Sequence, residues 1–96
     1  MDDEELIREL LAALIEDTSR QAQLLAQAIR EEDAPKCAKL AHYSKGACAN
    51  LGALAAASLL QNIESRAATG DFAECGASLE ALRQQIERLR TEAEVL

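Results

Sequence analysis

Leucine, isoleucine and alanine recur along this chain every three or four residues, the period of one face of a helix. The first such stretch, residues 3–16, carries Leu6, Leu10 and Leu14 at i, i+4 and i+8, and this stripe is expected to face a core. Glu16, Asp17, Thr18 and Ser19 then offer either a break, with Asp17 or Thr18 capping a new helix, or a kink within one continuous helix. A second stripe of Leu24, Leu25, Ala28 and Ile29 ends near residues 31–33, where Asp33 can cap the next helix and Pro35 falls in its first turn. That helix is predicted over residues 34–51, with Gly52 as the glycine just past its end. A fourth segment over residues 53–69 stops at Gly70. Asp71 caps the last segment, which carries Leu79, Leu82, Ile86 and Leu89 at i, i+3, i+7 and i+10.

Connections of a few residues make successive helices antiparallel neighbours. The expected fold is all-α: an up-down-up-down four-helix bundle with an additional N-terminal helix or helical extension. One domain spans residues 1–96, since a chain of this length has no room for a second core.

Composition strengthens the helical reading. Hydrophobic residues make up 49% of the chain, and Tyr43 and Phe72 are its only aromatics. Alanine, leucine, glutamate, glutamine and arginine favour helix, and strand-forming residues are scarce. The net charge of −7 excludes a general nucleic-acid binder and disfavours anionic membrane surfaces. The uncharged run over residues 46–63 is interrupted by Asn50, Gly52, Ser58, Gln61 and Asn62, so no stretch is expected to span a bilayer. The opening Asp2-Asp3-Glu4-Glu5 is the reverse of a basic signal-peptide start, and a cytoplasmic location is expected. Cys37, Cys48 and Cys75 show no paired spacing and are read as free thiols packed in the core.

Charge is distributed unevenly. No acidic residue lies between Asp33 and Glu64, and all three lysines, Lys36, Lys39 and Lys45, fall there; that stretch is +3 and the remainder −10, against −7 for the whole. Within it the apolar stripe runs through Cys37, Leu40, Ser44, Ala47 or Cys48, and Leu51. At about 100° per residue, His42 lies on the opposite, solvent-facing side with Lys39, Lys45, Gly46 and Ala49. Lys39 and Lys45 stand at i−3 and i+3 from the only histidine, so both neighbour its ring and offer positive charge to an arriving anion. They also favour the neutral, nucleophilic imidazole. Gly46 costs a helix about 0.5–1 kcal/mol relative to alanine. It lies one turn beyond His42, where a missing side chain clears room for another protein to approach. An ordinary solvated face is the alternative reading of these lysines. A metal site is not expected, because there is no second histidine and no cysteine at ligand spacing.

The run Ala41-His42-Tyr43-Ser44-Lys45-Gly46-Ala47-Cys48-Ala49-Asn50-Leu51-Gly52-Ala53 resembles the signature of histidine-containing phosphotransfer (HPt) domains. The pattern is a histidine, a lysine three later, a glycine four later, small residues, and a second glycine ten after the histidine. The resemblance continues through Leu60-Gln61-Asn62-Ile63-Glu64 and Gly70-Asp71, and upstream through Leu14-Ile15-Glu16-Asp17-Thr18 and Ala28-Ile29-Arg30-Glu31-Glu32-Asp33. It implies a four-helix bundle without kinase activity of its own, carrying a phosphoryl group on His42 between receiver-domain aspartates of a two-component phosphorelay. It assigns Lys45 and Gly46 to the same site. Glu64 takes the family position beside the imidazole, where it would fix the ring tautomer; a merely solvated glutamate is the alternative. Lys36, Lys39, Tyr43 and Ala49 are candidate partner contacts. The implied partners are response-regulator receiver domains or a hybrid sensor kinase, with any Mg²⁺ held by the receiver, no cofactor on this chain, and a monomer. Ser44 and Tyr43 depart from the family, which usually has leucine at the first position and a small or apolar residue at the second. Two other functions fit a related bundle: a helical interaction module that handles no phosphate, and the phosphoacceptor domain of a chemotaxis-type kinase.

Overall fold

Three short turns fold the chain back on itself, with Asp33 and Asp71 at the starts of the second and fourth helices and Gly52 and Gly70 just past the ends of the second and third. In the computed structural model, which describes residues 2–95, the elements are α1 (Asp3–Arg30), α2 (Ala34–Asn50), α3 (Leu54–Ala68) and α4 (Phe72–Glu94). Each helix packs on two neighbours, α1 on α2 and α4, and α3 on α2 and α4, which gives a square up-down-up-down bundle 45 Å long and 19 by 18 Å across.

Side-chain caps set three of the four helix starts; α3, with Ala53 at its N-cap, has none. Asp2, Asp33 and Asp71 each accept from the backbone N–H three residues on, at 2.7, 3.2 and 3.1 Å. Each thereby satisfies one of the donors a helix start leaves unpaired. Glycine sets two of the stops. Gly52 and Gly70 adopt φ of +78° and +77°, a region open to glycine without steric cost. The following N–H groups of Ala53 and Asp71 turn back to the carbonyls of Cys48 and Arg66, both at 2.9 Å.

The core is filled by Leu14, Ile15, Leu25, Leu60, Ile63, Leu79, Leu82 and Ile86, with alanines and the three cysteines between them. All three cysteines are free and buried, and burial pushes each thiol's pKa up. They behave as small packing groups.

Of the two readings of residues 16–19, the continuous one holds: α1 is one helix with no break or cap at Asp17 or Thr18, so the N-terminal segment is an extension of the first bundle helix. Thr18 is buried, with its Oγ1 3.9 Å from Cys48 Sγ. Weak helix formers cost only tenths of a kcal/mol each, and packing against α2 and α4 outweighs that. Three expectations need correction, at Leu6 and Leu10, at Leu24 and at Leu51. Leu6 and Leu10 are not core residues, because α1 continues past the helices that would cover them. Leu24 lies at the edge of the core and is partly exposed, and Leu51 is exposed beside the α2–α3 turn; Ala41 takes a core position on α2 instead. Ser44 is buried as its place on the stripe predicts, and its hydroxyl has no partner.

Candidate functional site

His42 stands midway along α2 with its side chain 70% exposed. Its neighbours Ala41 and Ser44 point into the core, so packing on either side holds the α2 backbone while the ring projects outward. Across the α2–α3 interface Glu64 presents its carboxylate to the ring, with Nδ1 3.2 Å from Oε2 and 3.4 Å from Oε1. An ionised carboxylate can only accept, so Nδ1 carries a proton, and in the neutral ring the lone pair is then on Nε2, the nitrogen not engaged by Glu64.

Lys45 completes the cluster from below. Its Nζ donates to Glu64 Oε1 at 3.0 Å and to Gln61 Oε1 at 2.7 Å. Gln61 is held in turn, its Nε2 donating to Ser65 Oγ at 3.1 Å. The hydrogen bond from Lys45 holds the Glu64 carboxyl below the usual carboxylate range, partly opposed by burial and helped by His42. The expectation of two bare ammonium groups beside the ring is therefore corrected. Lys45 is compensated by Glu64, and it acts on the imidazole through that carboxylate.

Lys39 and Lys36 are exposed and make no ion pair among the described residues. Lys39 lies one turn before His42 on the same face, and Lys36 lies about 9 Å away along the axis. Ala49 is exposed on that face. Gly46 is exposed too, and a Cβ built on it meets no atom within 4 Å. Nothing inside the molecule requires glycine there.

Tyr43 turns toward α1. Its hydroxyl donates to Asp17 Oδ2 at 3.2 Å, which raises the phenol's pKa, while Asp17 Oδ1 lies 3.6 Å from an Arg20 nitrogen. The ring itself remains largely exposed. The sequence pattern pointed to no part in this site for Gln61 or Asp17. The i, i+3 spacing of Gln61 and Glu64 puts both on one face of α3 and could have pointed to the first. Nothing local points to the second.

Glu64 also fixes a pH dependence. Its carboxyl titrates lower in the folded protein than in the unfolded chain, so its contribution is present in full above the ordinary glutamate pKa of about 4.3 and fades as pH falls through the lower folded value. The thermal-unfolding gap between the native chain and Glu64→Gln is expected to be at most about 1 kcal/mol near neutrality, as a part-exposed pair allows. It should close on acidification below about pH 4.3. A gap unchanged from pH 6 to pH 3 would show that the charge of Glu64 does not hold this cluster.

The arrangement presents an oriented nucleophilic nitrogen to solvent, a carboxylate that can balance positive charge on the ring, and a smooth strip at Gly46 and Ala49. Among the described residues no group of three or more His, Cys, Asp or Glu is placed to hold a metal ion, and no helix is long and apolar enough to cross a membrane. The family model for the Hpt domain matches residues 9–92. A search of curated proteins finds no match. Among solved structures, histidine-containing phosphotransfer protein B (HptB) from Pseudomonas aeruginosa superimposes with a TM-score of 0.85 at 24% identity, over 91% of this chain and 76% of that one. At that identity the likeness is one of fold.

Proposed function

Since this chain belongs to the Hpt domain family, the histidine phosphotransfer modules of two-component phosphorelays, we propose that His42 is the residue on which it carries the phosphoryl group. The observation behind this reading is the 70% exposed ring whose Nδ1 is engaged by Glu64, which leaves Nε2 facing an incoming partner.

Nε2 attacks the phosphorus of an aspartyl phosphate on a receiver domain. The N–P bond forms as the P–O bond to the aspartate breaks, and the aspartate leaves as a carboxylate. The ring keeps its Nδ1 proton and becomes positively charged, and Glu64 stabilises that charge. A second receiver's aspartate reverses the step and restores the neutral imidazole. Such transfer asks for in-line placement and charge stabilisation more than covalent help from side chains. Lys45 and Gln61 are positioning residues that hold Glu64. Lys39, with Lys36 further along, draws the phosphoryl group and the acidic receiver pocket to this face, and Tyr43 and Ala49 complete the contact.

The partners are receiver domains or a hybrid sensor kinase, with Mg²⁺ supplied by the receiver and no cofactor on this chain. The free, buried thiols favour a reducing, cytoplasmic setting. Incubation with a phosphorylated receiver domain should label the chain with acid-labile, base-stable phosphate. Failure to label with any receiver domain of the source organism would overturn the reading and leave a helical interaction module.

A further inference from the structure

α1 is longer than the bundle it belongs to. At 1.5 Å per residue its 28 residues run about 42 Å, against about 25 Å for the 17 residues of α2. Measured down from the α1–α2 turn, α2 therefore ends level with about residue 14 of α1. Leu14 is the first buried residue of α1, and residues 3–13 project beyond the α2–α3 turn.

The apolar stripe continues onto that projection. Leu6, Ile7 and Leu10 are exposed there, Leu51 and Leu54 flank the turn at the same end, and Val95 follows α4; these six are between 41% and 83% exposed. Only two other large hydrophobics are exposed among the described residues, Leu24 and Tyr43, so the exposed apolar surface is gathered at one end. Summed over the six side chains, the exposed apolar surface is on the order of 500 Å², comparable to the largest patch a monomer leaves uncovered. That is more than half of the roughly 800 Å² per partner that a stable interface buries.

We propose that this end is a self-association surface, where two copies meet end to end about a two-fold axis with their α1 projections antiparallel. Each copy lays Leu6, Ile7 and Leu10 against its partner's stripe and α2–α3 turn. A two-fold contact demands a patch that complements itself, and an apolar stripe does so. The antiparallel arrangement also carries the two acidic openings, Asp2, Asp3, Glu4 and Glu5, to opposite ends of the contact. His42 lies eight residues, about 12 Å, from the end of α2 on the flank of the bundle, so both sites stay open. A dimer would differ from the monomer expected from the sequence, and it does not depend on the role of His42.

Sedimentation of the full chain up to about 1 mM tests this. The expected result is a species of twice the 10.4 kDa chain mass. Association should tighten as salt screens the repulsion between chains of net charge −7. The double substitution Leu6→Asp and Leu10→Asp should return a single monomeric species with unchanged helical circular dichroism, since both side chains are exposed. Three results would each overturn the proposal: a monomer at every concentration and salt, a dimer untouched by the double substitution, or a dimer that loosens with salt. The last two would mean another face, or a charge-driven contact.

Discussion

The His42→Gln chain is expected to take no phosphoryl label from a phosphorylated receiver domain, while its circular dichroism and melting temperature stay close to those of the native chain. The expected loss is complete, because an amide offers no nucleophilic nitrogen to replace the imidazole lone pair. Stability should change by no more than about 0.5 kcal/mol, as for other exposed positions. The ring lies outside the core, and its polar contact within the chain is with Glu64. Glutamine can still donate to that carboxylate. Label persisting in this variant would remove His42 from its proposed role whatever the fate of the fold, and would direct attention to another residue.

The second large effect is expected at Gly46, where stability and activity should move in opposite directions. Gly46→Leu adds helix propensity worth up to about 1 kcal/mol, which for a domain of this size is a rise of about 4–8 °C in melting temperature. A Cβ at this position meets nothing within the chain, so no internal clash offsets the gain. The added side chain stands one turn from His42, on the face a receiver must approach. Misplacing a reacting phosphorus by about 1 Å can cost 100-fold in rate, and a loss of about that size is expected, with Gly46→Ala intermediate. Measuring transfer rate and thermal melting on the same preparations separates the two effects. Full transfer activity in the leucine variant would mean that the partner does not pass over this strip.

The corrections and omissions share a cause. Asp17, Thr18 and Ser19 look like a helix boundary because their intrinsic preferences are weak, yet Thr18 is buried against Cys48 and α1 continues through them. Leu6 and Leu10 carry the same spacing as Leu14, and spacing alone cannot tell that α2 ends level with residue 14. Lys45 sits at the right offset from His42, but its offset does not reveal that Glu64 and Gln61 engage its charge. The Tyr43–Asp17 pair joins residues 26 apart in the chain, and no local rule links them.

What the sequence determined by itself is whatever depends on neighbours within about four residues. The aspartate caps, the left-handed glycines at positions 52 and 70, the helical segments after residue 30, and the outward direction of His42 all follow from local backbone geometry and the 3.6-residue period. What the tertiary structure decided depends on the relative lengths and axial offsets of packed helices. That offset sets which stripe of α1 is covered, which carboxylate reaches the imidazole, and which lysine is left uncompensated. These follow from how far one helix runs past another, a distance fixed only when all four are packed together.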